Sequence, residues 1–470
     1  MKNFPTLRDW IDDLAEHDLL TIAKPGLSLN FELAALAHRL DGEKATFFPE
    51  PSGHAIPVVS GIMSNRPWIA RAMGVDEKGI LKKYQEAVSS PLPCKVVPKS
   101  NAKVQEVVHQ GPIDLAALLP APVHNEHDGG AYITAGLLIS ANPKTGKQNV
   151  SINRCQLQGG NKMGVSVSSR DTGAFLAESE RQGKPMPITI VIGVDVMTLL
   201  ASQALVGQDQ DELEVAGALH GQPLEVVKSI SNDLMIPAQA EIAIEGFFVP
   251  GVREPEGPFG EFTQYYGPKG ERFVIEITTV THRKSPLFHT IIGGGTEHLM
   301  LGAVPREASF LTNMQRVFPN VLNVHLPKGG VGRYHLIVQI KKIYEGSAKN
   351  IIFSALSMHH DVKMVVVVDE DIDIYNAAEV DWAIATRFQA DKDLVLESNC
   401  RASKLDPTSR GGIGAKLGID ATKPLDAKPE QFLRIKVPGA AELNLEQVTQ
   451  KINATRWRES LAHAQVKPSS

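Results

Sequence analysis

Apolar positions at helical spacing open the chain. Leu7, Trp10, Ile11 and Leu14 fall on one face, and further on so do Leu33, Leu36, Ala37 and Leu40. Between them Leu20-Thr21-Ile22-Ala23 is short and extended, and Thr6 with Asp9 three residues on marks a capped helix start. Residues 45–115 mix short apolar runs, such as Ile56-Pro57-Val58-Val59-Ser60, with a helix over 77–88 and a Pro-rich connector at 91–98. The pattern predicts an N-terminal α/β cap over 1–115.

Beyond that boundary the apolar runs become strand-like. Residues 131–139 are apolar and β-rich, and Gln148-Asn149-Val150-Ser151-Ile152 follows across the turn sequence Asn142-Pro143-Lys144-Thr145-Gly146, which predicts a hairpin. Further runs lie at 188–194, 242–249, 273–280 and 287–292, with helices near 171–183, 195–203 and 211–219. A barrel-like β domain over 116–300 is expected. After it come a helix over 303–317, within a linker at 301–320, and a strand-helix-strand unit at 334–340, 348–358 and 362–368. The last strand carries a run of four valines suited to a buried parallel strand. The C-terminal α/β domain is placed at 321–470, with a Pro-interrupted closing segment and a helix near 444–463.

Composition narrows the class without naming a chemistry. The 470 residues are 43% hydrophobic and 21% charged, with a net charge of -5, as in an ordinary soluble globular protein. That charge offers no footprint for nucleic acid, and no basic amphipathic stretch suggests a membrane surface. Cys94, Cys155 and Cys400 are scattered and odd in number, which fits a reducing compartment. With no basic-then-apolar leader and no uncharged run of ~18 residues, a cytoplasmic protein is expected.

The candidate chemistry concentrates in Glu254-Pro255-Glu256-Gly257-Pro258-Phe259-Gly260-Glu261. On a regular strand, positions five apart face opposite ways, but a Gly-Pro-Phe-Gly bend can bring Glu256 and Glu261 to one point. Two close carboxylates push their pKa values apart, leaving one as proton donor and the other as partner for a cation. Arg154, at the end of the predicted hairpin strand, offers a bidentate fork for a substrate carboxylate or for Glu256. Taken singly, the acidic turn is most simply a solvated loop and the arginine a surface ion pair. Glu212 and Glu214 open a helix whose N-terminus favours acids, and a divalent ion there needs further oxygen donors such as Asn149.

Other segments carry weaker signals. His124-Asn125-Glu126-His127-Asp128-Gly129-Gly130 has metal-site residue types at a spacing that matches no zinc pattern, so a structural or substrate-side loop is expected. The acids of Asp369-Glu370-Asp371-Ile372-Asp373 suit either Mg2+ or a solvated edge. Gly293-Gly294-Gly295-Thr296-Glu297-His298 lets backbone approach a ligand, with His298 as a candidate acid or base, and Gly411-Gly412-Ile413-Gly414-Ala415-Lys416 has the look of a phosphate-cradling turn.

These pieces occur together and in order. Asn149-x-Ser-Ile-x-Arg154, Asp211-Glu212-Leu213-Glu214-Val215-Ala216-Gly217, Ser231-Asn232-Asp233-Leu234-Met235-Ile236-Pro237-Ala238, Glu256-Gly-Pro-Phe-Gly-Glu261 and Gly414-Ala415-Lys416-Leu417-Gly418-Ile419-Asp420-Ala421-Thr422 span nearly the whole chain. With them the chain resembles the UbiD family of reversible decarboxylases, which use prenylated FMN. The resemblance implies an α/β (α+β) fold. In it a central split β-barrel of flavin-reductase-like type is flanked by the N-terminal cap and a C-terminal α/β domain that builds a homodimer or homohexamer. It also implies a flavin prenyltransferase as supplier of the cofactor.

Carried over by position, Asn149 and Glu212 would ligate Mn2+ that bridges to the cofactor phosphate, with K+ nearby. Ser151, Ile152, Arg154, Arg170 and Lys416 would complete the cofactor side. Arg154, Glu256 and Glu261 would form the catalytic network, with Glu261 protonating the carbon that loses CO2, and His298 would face an aromatic or heteroaromatic acid. An α,β-unsaturated or polyprenyl-hydroxybenzoate acid, or conventional FMN redox chemistry, are the alternatives. One position departs from the family: a His usually supplies a third metal ligand where Arg170 stands in Ser168-Ser169-Arg170-Asp171. Arginine cannot ligate a cation, so either the metal site is altered or Asp171 contributes, while the Arg170 charge suits phosphate.

Overall fold

Two long antiparallel strands carry the architecture. The computed structural model describes residues 3–167, 170–207, 210–440, 442–449 and 458. In chain order the central region contains β1 (Tyr132–Ile133), β2 (Leu137–Ala141), β3 (Gln148–Ile152), β4 (Cys155–Leu157), β5 (Lys162–Val165), α1 (Asp171–Arg181), β6 (Met186–Ile192), α2 (Glu212–His220), β7 (Ile242–Glu256) and β8 (Gly270–His282). They build a curled, nine-stranded sheet ordered β1-β4-β5-β8-β7-β6-β2-β3, with Val107–Gln110 added on β8. Every pairing in it is antiparallel. Register shifts along β7 and β8 interrupt the ladder, as bulges do where a long ribbon curls.

Alternation along the strands fills both faces. Leu138, Ile188, Ile190, Ile192, Ile242 and Ile244 enter one core, while Leu137, Ile139, Val191 and Ala243 join a second with the helices. The predicted hairpin forms in register Ala141↔Gln148 to Leu137↔Ile152. The single strand expected over 131–139 is instead two, β1 on β4 and β2 between β3 and β6. Gly136 separates them because a Cβ there would lie 2.6 Å from Ile190 Cγ2. The run at 287–292, expected in the barrel, contributes only Phe288–His289, which pairs in parallel with Val58–Ser60 in a four-stranded N-terminal sheet.

A helix of 22 residues, α3 (Thr296–Val317), follows. Gly295 offers it no side-chain cap, and Asp41 from the N-terminal segment accepts from Thr296 N (2.9 Å) and Oγ1 (2.6 Å) in its place. Beyond α3 come β9 (Val321–His325), β10 (His335–Ile340), α4 (Ser347–Met358), β11 (Met364–Asp369), α5 (Ala377–Arg387), β12 (Leu394–Arg401) and β13 (Ile413–Ala421), with the sheet ordered β9-β10-β11-β13-β12. The valines 365–368 are fully buried in β11, parallel to both neighbours as the apolar run predicts. The glycine-rich 411–416 stretch feeds strand β13 and does not form a phosphate-cradling turn before a helix.

Residues 1–422 make one compact unit and 423–470 another. Of the helix expected near 444–463 the second unit has Leu445–Val448, and most of the remainder lies outside the described residues. Among the described residues no helix is long and apolar enough to cross a membrane.

Candidate active site

Glu256 closes β7, and the chain then turns through Gly257, at a left-handed φ of 91° that suits glycine, and a cis Gly257-Pro258 bond. The bend brings both carboxylates onto Arg154, just past β3. Arg154 Nε and Nη2 each donate to Glu256 at 2.9 Å in a bidentate fork, and Nη1 donates to Glu261. The guanidinium also stands 5.2 Å from the Phe259 ring centre. Glu256 is fully buried and accepts a further bond from Tyr132 Oη at 3.1 Å. Burial pushes the Glu261 carboxyl up from the usual range, against the opposing charges of Arg154 and Arg333. Glu254 does not join them; it pairs with Lys162 at 2.8 Å.

A second cluster lies at the start of β3. Glu212, at the head of α2, accepts from Val150 N at 2.8 Å, and Asn149 Nδ2 donates to Thr172 Oγ1 at 3.0 Å. Asn149 Oδ1 has no protein donor among the described residues. Desolvation, helped by the charges of Asp211 and Asp171, pushes Glu212 up to about 8. A buried carboxylate short of positive charge beside an open amide oxygen is the donor set a hard divalent cation takes, so Asn149 and Glu212 fit Mn2+. Arg170 is exposed, 3.9 Å from Asp171 through Nε, and Ser168 and Ser169 lie outside the described residues. Ser151 and Ile152 continue β3 from Asn149 toward Arg154.

His298 lies in the first turn of α3. Its Nδ1 accepts from Gly294 N at 3.2 Å, and burial together with Arg333 and Arg306 pushes it down to about 3. The ring is therefore neutral, with Nε2–H left as a donor. Arg333 stacks 4.0 Å from the Phe262 ring centre, one residue from Glu261. Arg306 donates to Gly302 O at 2.6 Å, leaves Nε buried without a partner, and is pushed down to about 9 by burial and by Arg333. Neither arginine forms an ion pair among the described residues. Sequence reasoning passed over both; the signal for Arg306 is a charge that directly follows the apolar stretch 299–305.

The remaining sequence candidates resolve differently. Lys416 buries its amine on the carbonyls of Leu356 (2.6 Å) and His359 (3.1 Å). Asp369 and Asp371, read as candidates for Mg2+, are both paired with Arg387, at 2.7 and 2.8 Å. In the 124–130 loop, His124 Nε2 meets Thr290 Oγ1 at 2.8 Å.

Comparison with known proteins places this geometry. Family models described as 3-octaprenyl-4-hydroxybenzoate carboxy-lyase match in three successive pieces: the N-terminal domain over 11–88, the Rift-related domain over 95–296 and the C-terminal domain over 299–421. An anhydromevalonate phosphate decarboxylase of Methanothermobacter thermautotrophicus is 36% identical over 430 residues, 91% of this chain and 99% of that protein. A gallate decarboxylase of Lactiplantibacillus plantarum is 33% identical over 412 residues, 80% of this chain and 84% of that protein. Among solved structures, the UbiD-class enzyme HmfF from Pelotomaculum thermopropionicum in complex with FMN superposes with a TM-score of 0.93 at 44% identity, covering 94% of this chain and 100% of that one. An evolved dimeric form of HmfF in complex with prFMN gives 0.89 at 42% identity over 95% of this chain and 100% of that one. The chain belongs to the UbiD family of prenylated-FMN decarboxylases.

Proposed function

We propose that this carboxy-lyase reversibly removes CO2 from an aromatic or heteroaromatic acid. The observation that carries the reading is the continuous Glu256–Arg154–Glu261 chain, one carboxylate locked in a fork and the other held at a single guanidinium nitrogen. Arg154, kept cationic by its two partners, holds the departing carboxylate, and Glu256 fixes its orientation. The bond to CO2 breaks with its electron pair left on the ring carbon, and Glu261 delivers the proton that takes the vacated position. Prenylated FMN, when bound, supplies the electron sink that side chains lack. Asn149 and Glu212 would hold Mn2+, with K+ nearby and Asp171 beside them in place of the missing His. Ser151, Ile152 and Arg170 would complete the cofactor side, without Lys416, whose amine is held by the carbonyls of Leu356 and His359. His298 donates Nε2–H to a ring heteroatom or hydroxyl. A cytoplasmic homodimer or homohexamer, loaded by a flavin prenyltransferase, is the setting this reading implies.

Arg306 and Arg333 face the charge of Asp361 without a direct ion pair among the described residues, and they narrow the substrate further. Both guanidiniums act on His298 and that of Arg333 also on Glu261, which favours an acid with a second anionic group. Protein co-expressed with a flavin prenyltransferase is expected to release CO2 from members of a panel of aromatic mono- and diacids, and to exchange the product ring proton for deuterium. If the loaded protein does neither with any acid, the reading fails. Arg333→Gln is expected to raise KM for a dianionic substrate roughly 10–100-fold and to leave a monoacid within about threefold, since a hydrogen bond to a charged group contributes about 1.5–3 kcal/mol. Equal effects on both would remove Arg333 from the substrate's second anion.

A further inference from the structure

The His124–Gly130 loop, with its metal-type residues, is not absorbed by the reaction as described. His124 bonds to Thr290 and His127 to Tyr266, but Asp128 and Gly129 lead to the Glu256–Glu261 bend. Asp128 Oδ1 accepts from Gly260 N at 2.8 Å, and its Oδ2 is held by Asn125 N (2.9 Å) and Nδ2 (3.2 Å). Gly129 N donates to Pro258 O at 2.8 Å. Gln156 bridges the two segments, donating to Gly129 O at 2.7 Å and accepting from Gly257 N at 3.1 Å. Three of the four residues between the glutamates are thus tied to this loop or to Gln156. The asymmetry of the pair makes the ties matter: Glu256 is fixed by the Arg154 fork and Tyr132, whereas the Glu261 side chain has one guanidinium nitrogen. Its position is set chiefly by its backbone, and Asp128 grips that backbone one residue earlier.

We infer that Asp128 is a positioning residue for Glu261, anchoring the Gly260 amide so that the carboxyl meets Arg154 and the reacting carbon. The inference rests on the reading of Glu261 as proton donor. A displacement of about 1 Å at such a group costs on the order of 100-fold in rate. Asp128→Ala removes both anchors and is expected to lower kcat about 10–100-fold with KM within about twofold, and to move the alkaline limb of the kcat profile. Asp128→Asn keeps one acceptor oxygen for Gly260 and is expected to recover most of the loss. Independently of activity, amide hydrogen exchange across 257–261 is expected to accelerate in Asp128→Ala, in protein without cofactor as well as loaded. Wild-type-slow exchange across 257–261 in that variant overturns the inference, whatever the turnover. So does faster exchange accompanied by unchanged kcat and pH limb, or a loss that tracks cofactor content and Tm alone. Faster exchange beside a wild type that decarboxylates nothing supports the anchoring and overturns the decarboxylase reading instead.

Discussion

Glu261→Gln is expected to keep the cofactor and lose turnover by about 10²–10⁴-fold, the usual contribution of a positioned general acid. The substitution preserves volume and one oxygen to accept from Arg154 Nη1, so the guanidinium stays in its fork with Glu256. What disappears is the ionisable proton. Because burial holds the Glu261 carboxyl above the ordinary range, the protonated form persists at pH values where an exposed glutamate is ionised. In the wild type, kcat therefore falls as pH rises through this raised pKa, and that limb vanishes in the residual activity of the variant. Turnover profiles from pH 5 to 9, with the flavin spectrum recorded on the same samples, check both statements. Unchanged turnover at full cofactor occupancy removes Glu261 from proton transfer.

The parts of this site differ in how far residue order alone exposes them. The β2–β3 hairpin is local: a turn sequence joins two apolar runs, and the strands pair across it. The buried valines of β11 are equally local, since an uninterrupted apolar run has no solvated face to show. Phe288–His289 fails that test because a two-residue period reports which face is buried and not which strand lies alongside; its partner, Val58–Ser60, is about 230 residues away. The acid–arginine–acid network lies between. Residue types and order suggest it, but the meeting of Glu256 with Glu261 depends on a bend whose direction only the fold shows. The roles of Arg306, Arg333 and Asp128 were not legible, although Asp128 lies in a loop whose residue types stand out. A lone charge in a helix or loop reads as solvated until the missing counter-charge, or the backbone amide it binds, is seen.

Glu307→Ala is expected to be the most destabilising single change outside the site, by about 3–5 kcal/mol, because it leaves a buried guanidinium unpaired. Glu307, on α3, is fully buried and takes Arg66 Nη1 at 2.6 Å, His325 Nδ1 at 2.8 Å and Leu326 N at 2.8 Å. Arg66 belongs to the helix Arg66–Met73 and His325 to β9, so one carboxylate ties the N-terminal region, α3 and the C-terminal sheet together. Burial alone would raise its pKa; Arg66 and the hydrogen bonds from His325 and Leu326 reverse the sign and pull it down to about 2. A depressed carboxyl stabilises the fold fully above its unfolded value of about 4.3 and loses that contribution as pH falls through the folded value. The window lies between roughly pH 4.5 and 2, and the linked contribution is on the order of 3 kcal/mol. Chemical denaturation is expected to separate wild type from Glu307→Gln widely at pH 7 and by about half as much at pH 3, midway through that window. The double change Arg66→Met with Glu307→Gln removes both charges, and it is expected to be more stable than Glu307→Gln alone. If the double variant is as unstable as the sum of the singles, the cost comes from lost packing, and the ion pair is not what couples α3 to its neighbours.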